Sequence, residues 1–101
     1  MNTQVRYIQI TNRTNPDVLD ELFAELWKPK NKFHLIIDTT GCDISLNKAL
    51  SIKHVLDKHR EQSKKYVDHT TLLVKSIIVK IIMTTALVVL RPERPVYIRV
   101  K

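Results

Sequence analysis

Residues 33–45 read Phe-His-Leu-Ile-Ile-Asp-Thr-Thr-Gly-Cys-Asp-Ile-Ser. Leu35, Ile36 and Ile37 form an apolar run that ends at Asp38. Two threonines, the only glycine of the chain and a helix-like segment follow. This is the pattern of a buried parallel strand handing over to a helix, and it sets polar groups at the strand's carboxyl end.

On the amino-terminal side, residues 4–11 intersperse Val5, Tyr7, Ile8 and Ile10 with polar residues and read as a strand. Asn15 is placed as an N-cap, Pro16 as the first helical residue and Asp17 as an acid favoured by the helix dipole. Val18, Leu19, Leu22, Phe23, Leu26 and Trp27 then recur at helical spacing, so residues 16–27 form an amphipathic helix. On the carboxyl-terminal side, Asp43 or Ser45 caps a second helix running to about residue 65. Leu46, Ala49, Leu50, Ile52, Val55 and Leu56 supply its inner stripe. Residues 67–75 read as a third strand. Residues 76–90 are too long a segment for a strand and read as a third helix, although they are rich in β-branched side chains. Residues 91–95 hold two prolines and form a loop, and residues 95–100 form a fourth strand. The order is β-α-β-α-β-α-β. It predicts an α/β domain with a four-stranded, mainly parallel sheet, three helices and right-handed crossovers.

A chain of 101 residues, 44% hydrophobic and 27% charged, fits one globular domain. Cys42 is the only cysteine, which excludes an intramolecular disulfide and fits a reducing, cytoplasmic setting. Residues 1–15 carry no apolar run of the kind a secretory leader needs. Residues 72–90 are strongly apolar, but Lys75, Ser76 and Lys80 interrupt them and 81–90 is too short to cross a bilayer. A transmembrane segment is therefore not expected, while peripheral membrane contact is compatible with the segment. The formal charge of +7 is uneven. Residues 1–44 hold five Lys/Arg against six Asp/Glu, and residues 45–101 hold twelve against four.

Three features could carry function. Asp38, Thr39, Thr40, Asp43 and Ser45 lie at the carboxyl end of the second strand, where a ligand or phospho-switch loop would sit. The same residues can instead bond local backbone, with Gly41 making the turn. A phosphate-cradling loop needs several glycines, and only one is present. Lys48, Lys53, Lys58, Arg60, Lys64 and Lys65 make the second helix basic, a pattern that fits phosphate contacts with nucleic acid or a solvated outer face. The third helix has eleven apolar residues among the fifteen of 76–90, more than one buried stripe accounts for. Ile78, Ile81, Ile82 and Val89 are the expected self-association surface. The histidines at 34, 54, 59 and 69 lack metal-ligand spacing, and Cys42 reads as a buried structural thiol. No catalytic constellation, metal or cofactor is expected.

The order of elements, the apolar strand ending in Asp38, the helix soon after it and the closing Arg91-Pro-Glu-Arg-Pro-Val-Tyr-Ile turn resemble the STAS domain of anti-sigma-factor antagonists and sulfate-transporter tails. The pattern also looks like the related CRAL-TRIO architecture. The STAS resemblance implies a non-enzymatic regulatory or protein–protein interaction module. Many STAS domains switch by phosphorylation of a Ser or Thr in an Asp-Ser-Ser-Gly-like motif. This chain has no Ser-Ser-Gly there, and Ser45 is the nearest hydroxyl. The first functional expectation is thus a STAS-like protein-binding module that self-associates, with a dimer as default. The alternative is a basic nucleic-acid-binding protein using helix 45–65.

Overall fold

A computed structural model describes residues 4–43, 45–90 and 96–101, and at positions 46, 49 and 86–90 the backbone alone. The elements are β1 (Gln4–Gln9), α1 (Pro16–Leu26), β2 (Phe33–Asp38), α2 (Leu46–Lys58), α3 (Arg60–Tyr66), β3 (Val67–Val74), α4 (Ile77–Leu90) and β4 (Val96–Val100). The expected proline loop at 91–95 lies outside the described residues.

Helix α1 begins as its sequence dictates. The Asn15 side chain accepts from the Val18 N–H at 2.8 Å, Pro16 follows, and Leu19, Phe23 and Leu26 turn inward. Beyond it, Lys30 takes a left-handed backbone with φ 57°. A side chain is disfavoured there, so Lys30→Gly is expected to raise stability by about 0.5–1 kcal/mol, read as a higher denaturation midpoint. Helix α4 forms despite its β-branched content. Ser76 Oγ accepts from the Val79 N–H at 3.2 Å, and the Thr84 and Thr85 hydroxyls donate back to the carbonyls of Lys80 and Ile81.

Among the described residues the three-helix expectation is corrected to four. The helix predicted over 45–65 breaks at His59, where ψ is 17°, into α2 and α3. The cause lies in α1. Trp27 Nε1 donates to His59 Nδ1 at 3.0 Å, and His59 Nε2 then donates to Asp20 Oδ1 at 2.6 Å. The His59 ring also packs on Phe23, with centroids 5.7 Å apart. These contacts draw residue 59 toward α1. With Nδ1 accepting from Trp27, the ring proton that meets Asp20 sits on Nε2. The stripe expected on α2 is only partly inward. Ile52 and Val55 are buried and Leu56 packs on the core, but Leu50 is exposed.

The sheet has the order β1-β2-β3-β4, and every neighbouring pair is parallel. "Mainly parallel" therefore becomes wholly parallel. Sequential strands joined by right-handed crossovers put every connecting helix on the same face. Burial follows that rule. Ile8, Ile10, Phe33, Leu35, Ile37, Leu72 and Val74 face the helices and join Leu19, Phe23, Ile52, Val55, Val79 and Met83 in one core. At the amino ends of β2 and β3, Trp27 stacks on Phe33 and Tyr66. The opposite face of the sheet has no described helix over it.

Candidate functional site

The carboxyl ends of the strands gather the polar residues read from the sequence. Asp38 points to the face away from the helices. Its Oδ1 accepts from the Thr40 N–H at 2.9 Å and from the Thr40 hydroxyl at 2.6 Å, and its Oδ2 accepts from the Tyr7 hydroxyl. Lys101 Nζ lies 3.4 Å from Oδ2. Tyr7 comes from β1 and Lys101 from the end of β4, so the two outer strands close over the β2 carboxylate. The hydroxyls of Thr40 and Tyr7, helped by Lys101, hold the Asp38 carboxyl far below the usual carboxylate range although burial opposes them. The Tyr7 phenol is pushed up in turn, chiefly by its bond to Asp38. An ionised carboxylate with its oxygens already occupied is a poor general base.

The other loop residues divide by role. Thr39 is buried and donates its hydroxyl to the Leu73 carbonyl at 2.8 Å, so it is not available at the surface. Ser45 is exposed and caps α2, accepting from the Lys48 N–H at 3.2 Å. Asp43 does not cap the helix. It is exposed, takes an ion pair from Lys75 and exchanges hydrogen bonds with Asn12, joining the ends of all of β1, β2 and β3. Lys75 and Asn12 lower the Asp43 carboxyl. Gly41 has no positive φ, and a Cβ there would meet only the Thr11 methyl at 3.7 Å. The turn therefore does not require glycine. Cys42 is buried, and burial pushes its thiol up and away from nucleophilic use.

The basic residues do not form one stripe. Lys48 donates to the Thr14 carbonyl at 2.6 Å, and Lys53 and Arg60 both lie near Asp57. Lys64 and Lys65 sit on α3, beyond the break, with Lys65 over the Tyr66 ring. On α4 the expected association residues also divide. Ile78 and Ile81 are 71% and 61% exposed, and Ile77, not singled out in the sequence, is 68% exposed. Ile82 is instead half-buried against the core, and the Val89 side chain lies outside the described residues. Among the described residues no helix is long and apolar enough to cross a membrane, and no three His, Cys, Asp or Glu side chains gather as a metal site.

The uncovered sheet face holds the residues that sequence reasoning missed. His34 and His69 pair across β2 and β3 and stack at 3.8 Å between centroids. His34 also hydrogen-bonds the Thr71 hydroxyl at 2.8 Å. Burial, and then the charge of His69, lowers the His34 value. Tyr97 meets His69 edge-on at 6.0 Å. With Ile36, Thr71, Leu73 and Arg99 these rings line an open depression of about 380 Å³. The signal was present as the odd-and-even alternation of each strand. It gains meaning only once the strand order shows that one face is bare.

Comparison of the chain with protein-family models, characterised proteins and solved structures finds no significant match.

Proposed function

We propose that the chain is a non-enzymatic, STAS-like interaction module that self-associates through the outer face of α4. The observation that carries this reading is the exposure of Ile77, Ile78 and Ile81, which lie together on one turn of that helix. Clustered exposed isoleucines are uncommon on a monomer surface and characteristic of contact sites. Burying a full isoleucine side chain contributes about 1.5–3 kcal/mol. Three such residues, each about two-thirds exposed, supply roughly 3–6 kcal/mol per subunit. Association costs offset much of this, so the dimer is a weak one. The β-α alternation and the polar residues at the end of β2 support the STAS-like part of the reading. The bonded state of Asp38 and the buried thiol of Cys42 support the non-enzymatic part.

Sedimentation analysis from about 10 µM to about 1 mM spans the dissociation range of such a contact. The expected mass rises from the 11.8 kDa of a monomer towards a dimer. Ile78→Lys with Ile81→Lys is expected to hold the protein monomeric without lowering its melting temperature, because neither side chain is buried. A constant monomer mass over the whole range, or an unaltered dimer in the double variant, would show that α4 is not the contact.

A further inference from the structure

Wholly parallel sheets are normally covered on both faces. Here one face carries the helices, and among the described residues the other is bare. Its composition departs from that of a core waiting to be buried. Each of the four strands contributes one ring to it: Tyr7 from β1, His34 from β2, His69 from β3 and Tyr97 from β4. Tyr7 and Tyr97 are each 54% exposed. They stand in register across the sheet, Tyr7 opposite Ile36, Ile36 opposite Thr71 and Thr71 opposite Tyr97. Three strand spacings separate them by about 14 Å, a span that two or three unstacked nucleotides can bridge. On the carboxyl-terminal half of this face Arg99 is exposed and lines the depression, a cation placed to meet an anion. Lys101 is paired there with Asp38, which is buried under Tyr7 with its oxygens occupied.

We propose that this bare face binds single-stranded nucleic acid, with Tyr7 and Tyr97 as base-stacking surfaces and Arg99 as a phosphate contact. Rings spread over a sheet with a cation beside them suit unpaired bases, because every base offers a π-face to an aromatic side chain. A duplex hides those faces. A second copy of the chain fits less well, since a face-to-face pair would bring the Arg99 charges of both copies towards one interface. An enclosed small-molecule site would need a deeper cavity than this open dish. The proposal is independent of α4, which lies on the other side of the sheet, and it places nucleic acid away from the lysines of α2 and α3.

The test is fluorescence anisotropy of the full chain with labelled oligouridine and oligothymidine of about twelve nucleotides and with a duplex of equal length, a length within the range of known single-strand sites. Both single strands are expected to bind saturably and the duplex more weakly. Tyr97→Ala is expected to weaken binding about 5- to 160-fold, the range seen for loss of one stacked base. Tyr97→Phe puts the stacking ring back and is expected to rescue the affinity that Tyr97→Ala loses. Arg99→Gln is expected to reduce the slope of log affinity against log salt by about 0.7. Lys64→Gln with Lys65→Gln is expected to change little. Because Tyr97 is exposed, Tyr97→Ala is expected to fold, which circular dichroism checks. Absence of saturable single-strand binding would overturn the proposal. So would binding that survives Tyr97→Ala but falls in the Lys64/Lys65 variant. Finding that the sheet-face variants alter the oligomeric mass while no oligonucleotide binds would assign the face to a second copy instead.

Discussion

Phe23→Ala is expected to destabilise the protein by about 3–5 kcal/mol. Phe23 is 1% exposed and stands where three elements meet. Its ring packs on Trp27, with centroids 6.2 Å apart and planes 19° apart, and on His59. Trp27 in turn stacks on Phe33 of β2 and on Tyr66 of α3. Removing the Phe23 ring leaves a cavity beside rigid aromatic neighbours, which collapse poorly into it. It also frees His59 from one of the contacts that hold the α2–α3 break. Domains of this size hold only about 5–15 kcal/mol in total, so the variant should be substantially unfolded at moderate denaturant. Urea titration followed by Trp27 fluorescence measures this. A loss under about 1 kcal/mol would mean that the aromatic cluster is not a packed core, since even an isoleucine trimmed to valine costs about that much.

That cluster marks where the sequence was legible and where it was not. The spacing of Leu19, Phe23 and Leu26 gave α1, and the run Leu35–Ile36–Ile37 gave β2, because each pattern reports a local period. The helix break at His59 has no local cause. Neither glycine nor proline stands there, and residues 46–65 continue a helical composition. What breaks it is a hydrogen bond from Trp27, thirty-two residues away. The bare sheet face was hidden for a related reason. His34 and Ile36 both interrupt or continue the pattern of β2 without declaring their neighbours, and only the strand order brings His34 against His69 and Tyr97. The carboxyl-end loop was found from its residue types, but its bonding was not. Nothing near residue 38 in the sequence announces that Tyr7 and Lys101 will serve Asp38. On α4 the excess of apolar residues was plain. Their division into buried Val79 and Met83 and exposed Ile77, Ile78 and Ile81 depended on the helix's rotation against the sheet.

Asp38→Ala is expected to cost about 2–3 kcal/mol, and Asp38→Asn about half as much, as typical charge-assisted hydrogen bonds are lost. The alanine variant removes the acceptor shared by the Tyr7 hydroxyl, both Thr40 donors and Lys101. The asparagine variant keeps an acceptor oxygen for Thr40 but gives up the charge. The pH dependence separates this account from a simple packing defect. The folded Asp38 value lies below the ordinary aspartate value of about 3.9, so at low pH the unfolded chain takes up a proton that the folded chain refuses. Stability from this group is therefore fully present above about pH 5. It declines by up to about 1.4 kcal/mol per pH unit as the pH falls from about 3.9 towards the folded value. Asp43 is also lowered, through Lys75 and Asn12, and declines over the same side of the scale. It is present in wild type and variants alike, so it cancels in their difference. Denaturant melts of wild type and Asp38→Asn at pH 7, 4 and 2.5 should show a gap that is widest at neutral pH and narrows in acid. A gap of constant size from pH 7 to 2.5 would mean that Asp38 binds its proton alike in the folded and unfolded chains, and that its bonds to Tyr7 and Thr40 do not favour the charged form.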